Sequence, residues 1–277
     1  MPELPEVETT RRSLLPLLDR TVQAIEVRQP RLRWPVPEDL QRLQGQTLQA
    51  LDRRAKYLLA RFGQDTLLMH LGMSGSFRLV PADAPWRKHD HVSLTLGEQA
   101  LRYHDPRRFG CLLWTASDGS HPLLDHLGPE PLSAGFHPEG LYQQLQRTRR
   151  AVKVALMDNA VVVGVGNIYA TEALFQAGIH PATPAHLITR AQAGVLVQHI
   201  RRILQKAIDL GGSTLRDFVD AQGETGYFQQ TLWAYGRAGE PCRQCQTPVQ
   251  TLRLGQRASA FCPKCQPPHK TMANAAF

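Results

Sequence analysis

Toward its C-terminal end the chain carries Cys242-x-x-Cys245 and, sixteen residues later, Cys262-x-x-Cys265. Each Cys-x-x-Cys bends through a tight knuckle that brings two thiolates toward one tetrahedral ion, and the spacer is long enough to form a hairpin. So short a segment has almost no apolar core, so metal binding has to supply its folding free energy. The spacing fits a four-cysteine zinc ribbon, and four protein sulfurs leave no open coordination position, so the expected zinc is one structural ion. Two disulfides or a redox pair are the alternative reading of the same residues. The fifth cysteine, Cys111, lies in the apolar run Phe109–Trp114 and reads as a small buried hydrophobe.

The surroundings of that unit are basic. Residues 238–277 hold Arg243, Arg253, Arg257, Lys264 and Lys270 against one acid, Glu240, so five minus one gives +4, half of the chain's net +8. Arg253 and Arg257, on the expected hairpin, suit a DNA groove or a phosphate, although many zinc ribbons bind protein instead. The whole-chain charge favours a polyanionic partner and says nothing about fold. With 42% hydrophobic and 20% charged residues, the chain is not of disordered composition. The opening MPELPEVETTRR has acids from its third residue, unlike a signal peptide, and no run of about 18 apolar residues suggests a membrane span. A reducing, cytoplasmic setting is expected, where paired Cys-x-x-Cys units bind metal more often than they oxidise.

A length of 277 residues suits two domains plus an appendage. Pro5 fits a first helical turn, Glu6 and Glu8 its positive end, and Arg11 and Arg12 its close. Alternating apolar residues follow at Leu67, Met69, Leu71 and at Val92, Leu94, Leu96, with a hairpin turn at Gly97-Glu98. The expectation is an α+β chain: residues 1–133 a β-sandwich with one leading helix, 134–237 helical, and 238–277 the zinc ribbon and tail. Pro129–Gly140 reads as a linker. Helices are expected over Ile168–Gln176, closed by Gly178, and over Arg190–Leu210.

Gly164-Val-Gly166-Asn167 stands directly before one of these helices. Free N–H groups at a helix start, together with an Asn cap, make a ready anion site, with Lys153 or Arg150 at hand for a backbone phosphate. A plain tight turn between packed helices explains the same residues.

Taken together, MPELPEVET, RLRWPV (31–36), RRAKYLL (53–59), HLGMSG (70–75), KHDHV (88–92), DPRRFG (105–110), HLGPEPL (126–132), GVGNIYA (164–170), GGSTLRDF (211–218), YGRAGEPCRQC and QRASAFCPKC resemble the bacterial formamidopyrimidine-DNA glycosylase family. The likeness runs in order through nearly the whole chain to Cys265. It implies a β-sandwich, a helix–two-turns–helix domain and a zinc finger around double-stranded damaged DNA. It further implies excision of 8-oxoguanine and ring-opened purines followed by lyase cleavage, by a monomer associated with the bacterial nucleoid.

The resemblance also implies roles. Pro2, once Met1 is removed, presents a secondary amine to the sugar C1′; an α-amine titrates near about 7.7–8, so a neutral fraction exists at neutral pH. Glu3 would transfer a proton at the deoxyribose ring oxygen, Lys56 would contact phosphate and assist elimination, and Arg257 would grip the phosphates flanking the lesion. His89, Asn167 and Lys153 match DNA-backbone contacts. A damaged base has to leave the stack to be reached. Met73, Arg107 and Phe109 match the residues that fill the space it vacates; pattern alone assigns Met73 and Phe109 to the core. Possession of all three separates the chain from endonuclease VIII, which prefers oxidised pyrimidines. Arg216–Phe228 reads as a lid with few apolar anchors. The chain departs from the family at Thr148, where a basic phosphate contact is frequent and Arg149 or Arg150 could substitute, and at Arg216, where Lys is frequent. Residues Gln266–Phe277 read as a disordered tail. A non-enzymatic zinc-finger DNA binder is the competing function.

Overall fold

The computed structural model describes residues 2–213, 221–222 and 226–270. The chain divides into two compact units, residues up to 125 with 207–229, and residues 126–206 with 230 onward.

The first unit opens with α1 (Leu4–Ser13), which has Pro5 in its first turn, a reciprocal capping box between Glu3 and Glu6, and Arg11 and Arg12 in its last turn. The proline leaves no N–H to be orphaned, the capping box satisfies two backbone donors, and the arginines complement the helix dipole. Eight strands follow: β1 (Val22–Val27), β2 (Leu48–Arg54), β3 (Tyr57–Phe62), β4 (Asp65–His70), β5 (Ser76–Pro81), β6 (Asp90–Leu96), β7 (Gln99–His104) and β8 (Cys111–Trp114). They form two antiparallel four-stranded sheets, ordered β1-β6-β7-β5 and β2-β3-β4-β8. Gly97-Glu98 turns β6 into β7, with Gly97 at φ +70°. Leu58, Phe62, Leu67, Met69, Phe77 and Tyr103 belong to one continuous core with Val7, Leu14 and Leu17 of the N-terminal segment. Each large side chain buried there contributes about 1.5–3 kcal/mol.

The second unit is built from α3 (Pro138–Gln146), α4 (Val152–Leu156), α5 (Asn167–Gln176) and most of α6 (Arg190–Asp209); a four-residue α2 (Pro122–Asp125) precedes it in the chain. Pro129–Gly140 is not wholly a linker. Pro138, Glu139 and Gly140 form the first turn of α3, and the His137 ring accepts the Gly140 N–H at 3.1 Å. A proline at the first helical position mimics a break in composition while its fixed φ suits the helix. Leu196, Ile200, Ile203 and Leu204 line the buried face of α6.

The second unit ends in the hairpin β9 (Gln250–Leu254) and β10 (Arg257–Phe261), in which Leu254 pairs with Arg257 across Gly255 and Gln256, both at positive φ. That is the backbone a two-residue hairpin turn requires. Gln266 corrects the expectation of a disordered tail from that residue onward. It is fully buried, its amide N–H donates to the Ile179 carbonyl at 2.8 Å, and its Oε1 accepts the Cys262 N–H at 3.0 Å. A polar residue after the last cysteine reads as tail until its backbone partners are known. Residues 271–277 lie outside the described residues. So do most of the expected lid and Arg216; within the lid span Ala221 is buried and Tyr227 exposed.

Candidate active site and metal centre

Pro2 and Glu3 are buried at the start of α1. The Glu6 carboxylate holds them there: Oε2 accepts the Glu3 N–H at 2.8 Å, while Oε1 accepts the Ser213 N–H at 2.8 Å and its hydroxyl at 3.1 Å. Gly212, at φ +79°, closes on the same side chain, where an added Cβ would meet Glu6 atoms at 3.3 Å. Glu3 is therefore the helix cap, a place that sequence pattern alone suits better to Glu6 or Glu8.

Lys56 sits in the tight turn between β2 and β3, beside Ala55 at φ +53°. Arg53 fixes that turn by donating to the Ala55 carbonyl at 2.9 Å, and its Nε lies 3.2 Å from Glu8. Burial works to raise the Glu8 carboxyl, but hydrogen bonds from Arg11 and Arg12 and the charges of Arg11 and Arg53 outweigh it and hold the group below its usual range. Neither Glu6 nor Arg53 stands out as a site residue in the sequence, because helix acids and strand arginines are common and only their long-range partners distinguish them.

Met73 is half-buried in the segment after β4, and Arg107 and Phe109 are exposed in the segment before β8. Phe109 is 42% exposed, too open for a core residue, and the Arg107 guanidinium lies 4.7 Å over its ring. His89 is half-buried at φ +71°. Desolvation and the neighbouring Lys88, His104, His91 and Arg108 charges hold its imidazole below the ordinary value.

In the second unit Gly166, not Asn167, caps α5; Asn167 is its first residue. The Asn side chain is turned to Lys153, whose ammonium donates to Asn167 Oδ1 at 2.7 Å, to the Ser259 hydroxyl at 2.8 Å and to the Ala258 carbonyl at 3.1 Å. Lys153 is 1% exposed, so it ties the start of α5 to β10 of the finger hairpin. Arg150 is paired with Asp158 at 2.8 Å. Arg257 is exposed at the start of β10. Glu172, fully buried on α5, accepts the N–H groups of Trp233, Ala234 and Tyr235 at 2.8–2.9 Å; burial pushes its carboxyl above the usual range against those bonds. It carries no sequence signal.

The sulfurs of Cys242, Cys245, Cys262 and Cys265 all lie within 4.8 Å of one another. Two of the separations are 3.4 and 3.9 Å. Four sulfurs about 2.3 Å from a tetrahedral zinc stand about 3.8 Å apart, so the cluster has the size of a zinc site. Backbone N–H groups of Gln244 and Cys265 point at Cys242 and Cys262 sulfurs at 3.4 Å, and Val249, Phe175 and Ala260 cover the cluster.

Three sequence profiles match in order: the formamidopyrimidine-DNA glycosylase N-terminal domain over residues 1–112, the formamidopyrimidine-DNA glycosylase H2TH domain over 127–219, and the zinc finger found in FPG and IleRS over 239–268. The formamidopyrimidine-DNA glycosylase of Acinetobacter baylyi is 62% identical over 268 residues, spanning 96% of this chain and 98% of that protein. The chain belongs to the formamidopyrimidine-DNA glycosylase family. The glycosylase of Laribacter hongkongensis is 57% identical over 268 residues, covering 95% of this chain and 98% of its own. Among solved structures, Lactococcus lactis Fpg in a complex with abasic-site DNA superposes with a TM-score of 0.89 at 38% identity, covering 96% of this chain and all of that one. The MutM (Fpg) protein of Thermus thermophilus gives 0.86 at 41%, with 97% and 100% coverage. As in the family's finger, the four cysteines are the ligands of one structural zinc. No helix among the described residues is long and apolar enough to cross a membrane.

Proposed function

We infer that this glycosylase removes oxidised purines, 8-oxoguanine and formamidopyrimidines, from duplex DNA and then cleaves the strand as an AP lyase. Family membership over nearly the whole chain supports this reading, and solved structures of Lactococcus lactis Fpg hold Fapy-dG and abasic-site DNA. The single structural observation behind the residue assignments is the burial of Pro2 and Glu3 at the start of α1, with the Glu3 N–H held by Glu6. The domain limits proposed are 1–133, 134–237 and 238–277.

With Met1 removed, the neutral Pro2 nitrogen attacks C1′ of the damaged nucleoside, and the C1′–N bond breaks with its electron pair leaving on the base, which is protonated. The Glu3 carboxyl delivers a proton to the ring oxygen as the sugar opens, and the secondary amine becomes an iminium at C1′. Its positive charge acidifies the C2′ protons. Loss of one C2′ proton expels the 3′ phosphate, a second elimination expels the 5′ phosphate, and hydrolysis of the iminium frees Pro2. A one-nucleotide gap remains. Lys56 stabilises the phosphate charge that develops on elimination, and Arg257 grips the phosphates from the finger.

His89 and Asn167 hold the DNA backbone. Asn167 has its amide oriented by Lys153, whose own part in DNA binding runs through that orientation. Met73, Arg107 and Phe109 occupy the space left by the everted nucleotide: Met and Phe replace stacking, and Arg bonds the orphaned base. Borohydride reduction of the protein with 8-oxoguanine duplex tests the reading. A covalent adduct on residue 2, lost in Pro2→Gly, is expected; full-yield trapping by Pro2→Gly overturns the nucleophile assignment. Thymine-glycol duplex run in parallel separates this activity from an endonuclease VIII-like one.

A further inference from the structure

The Asp105 carboxylate is fully buried, and four neutral donors converge on it. The Ser74 hydroxyl donates to Oδ1 at 2.7 Å and the Arg107 N–H to the same oxygen at 3.3 Å; the Tyr103 hydroxyl and the Gly110 N–H donate to Oδ2, both at 2.9 Å. Among the described residues Asp105 makes no ion pair with a lysine or arginine, and the partners of its carboxylate are the four donors just named. A buried anion without a cation is a costly choice for closing a turn, since an apolar residue or a neutral amide would avoid the desolvation. What the anion supplies is four acceptor positions on two equivalent oxygens, aimed at two separate loops; an amide could accept at one atom only.

Those loops are the ones that carry Met73 and the Arg107–Phe109 pair. They interlock so closely that a Cβ on Gly72 would lie 2.4 Å from backbone atoms of Phe109 and Gly110, and one on Gly110 would lie 1.9 Å from the Tyr103 hydroxyl. Arg108 is held at φ +55°, a left-handed conformation that a non-glycine residue adopts only when its surroundings impose it. The Ser74 hydroxyl links them a second time by accepting the Arg107 N–H at 3.2 Å. The backbone of Asp105 reaches the segment carrying His89 as well: its N–H donates to the His89 carbonyl at 3.0 Å, and its carbonyl accepts the His91 Nε2–H at 2.7 Å.

We propose that Asp105 is the positioning residue that locks the Met73 loop and the Arg107–Phe109 loop into one rigid wedge, so that all three side chains enter the duplex together. The proposal rests on the reading that these three fill the vacated space. It separates two activities that use the same nucleophile: chemistry on a duplex lesion needs the wedge, whereas adduct formation at an abasic site in a single strand leaves no stack to fill.

The test compares the unaltered protein with Asp105→Asn and Ser74→Ala, by borohydride trapping on an 8-oxoguanine duplex and on a single-stranded abasic oligonucleotide. Thermal unfolding is followed alongside. Misplacement of a positioning group by a fraction of an ångström to an ångström can cost orders of magnitude, so Asp105→Asn is expected to slow the duplex reaction by about tenfold or more while single-strand trapping stays within about twofold. Ser74→Ala, which removes one of the four donors, should show the same split to a smaller degree, and it carries the test alone should Asp105→Asn fail to fold. Equal loss on both substrates, or no loss on either, in the folded variants overturns the proposal. Failure of the unaltered protein to form an adduct on either substrate would instead sink the Pro2 assignment.

Discussion

Glu6 and Ser213, 207 residues apart in sequence, are joined by two hydrogen bonds to one carboxylate oxygen, at 2.8 and 3.1 Å, while the other oxygen holds the Glu3 N–H. One side chain thus fixes both the start of α1 and the segment after α6 against it. Glu6→Gln replaces one acceptor oxygen with an amide that must face an N–H donor. A buried donor left unpaired costs about 1–3 kcal/mol, which urea unfolding will read as a lower midpoint at constant m. Adduct formation at residue 2 should slow in the same variant. Stability and trapping rate both equal to those of the unaltered protein would show that the contact does neither job.

Metal removal should dismantle the finger and leave the rest of the chain folded. Structural zinc in such peptides is bound with about 10–16 kcal/mol of apparent free energy at neutral pH, and the finger has few apolar contacts of its own to replace it. After treatment with a strong chelator, a thiol reagent should modify four cysteines quickly and the fifth slowly. That fifth is Cys111, which burial pushes up to about 12 and which is fully buried in β8. DNA binding should fall in step with the four-thiol reaction. Five equally fast thiols would mean that the sandwich had unfolded too.

His70 predicts a pH dependence of stability. Burial first, then the nearby Lys56 and Arg33 charges, push its imidazole down from 6.5 to about 4. The folded form therefore takes up its proton at lower pH than the unfolded form. The contribution is fully present above pH 6.5 and is lost as pH falls from 6.5 toward 4, where the unfolded state binds more protons. That loss is up to about 3 kcal/mol. The neutral ring accepts the Gly72 N–H at Nδ1, 3.0 Å, so the protonated form also costs the Met73 loop a hydrogen bond. Urea unfolding between pH 4 and 7 should show a steeper slope for the unaltered protein than for His70→Gln. Parallel slopes would show that another group governs the acid limb.

The sandwich, the helices and the metal site are legible because each is a local pattern. Alternation at Leu67–Leu71, turn chemistry at Gly97-Glu98 and ligand spacing at Cys242 and Cys262 all lie within a few residues of one another. The residues missed are those whose meaning is a partner far away. Glu6 reads as a helix-start acid until Ser213 arrives beside it, Arg53 as a strand cation until Glu8 does, and Glu172 as a polar interruption of α5 until three N–H groups from 233–235 meet it. The sequence misplaces Asn167 by one position because a glycine can cap a helix with no side chain to announce it.

Lys153 separates charge that contacts DNA from charge that builds the fold. Counterion release makes the logarithm of the DNA binding constant fall with the logarithm of salt concentration by about 0.9 per phosphate neutralised. Arg257 is exposed on the finger, so Arg257→Gln should lower the slope on undamaged duplex by about 0.9 and weaken binding most at low salt. Lys153 is 1% exposed, and its ammonium is held by Asn167, Ala258 and Ser259. Lys153→Met keeps most of the side-chain volume but frees the Asn167 amide and leaves buried acceptors unpaired. It should weaken binding and lower thermal stability while leaving the salt slope as it was. Fluorescence anisotropy titrations across a salt series measure both quantities at once. A slope that drops by about one in Lys153→Met would make that lysine a direct phosphate contact, and its burial in the free protein a feature that DNA binding undoes.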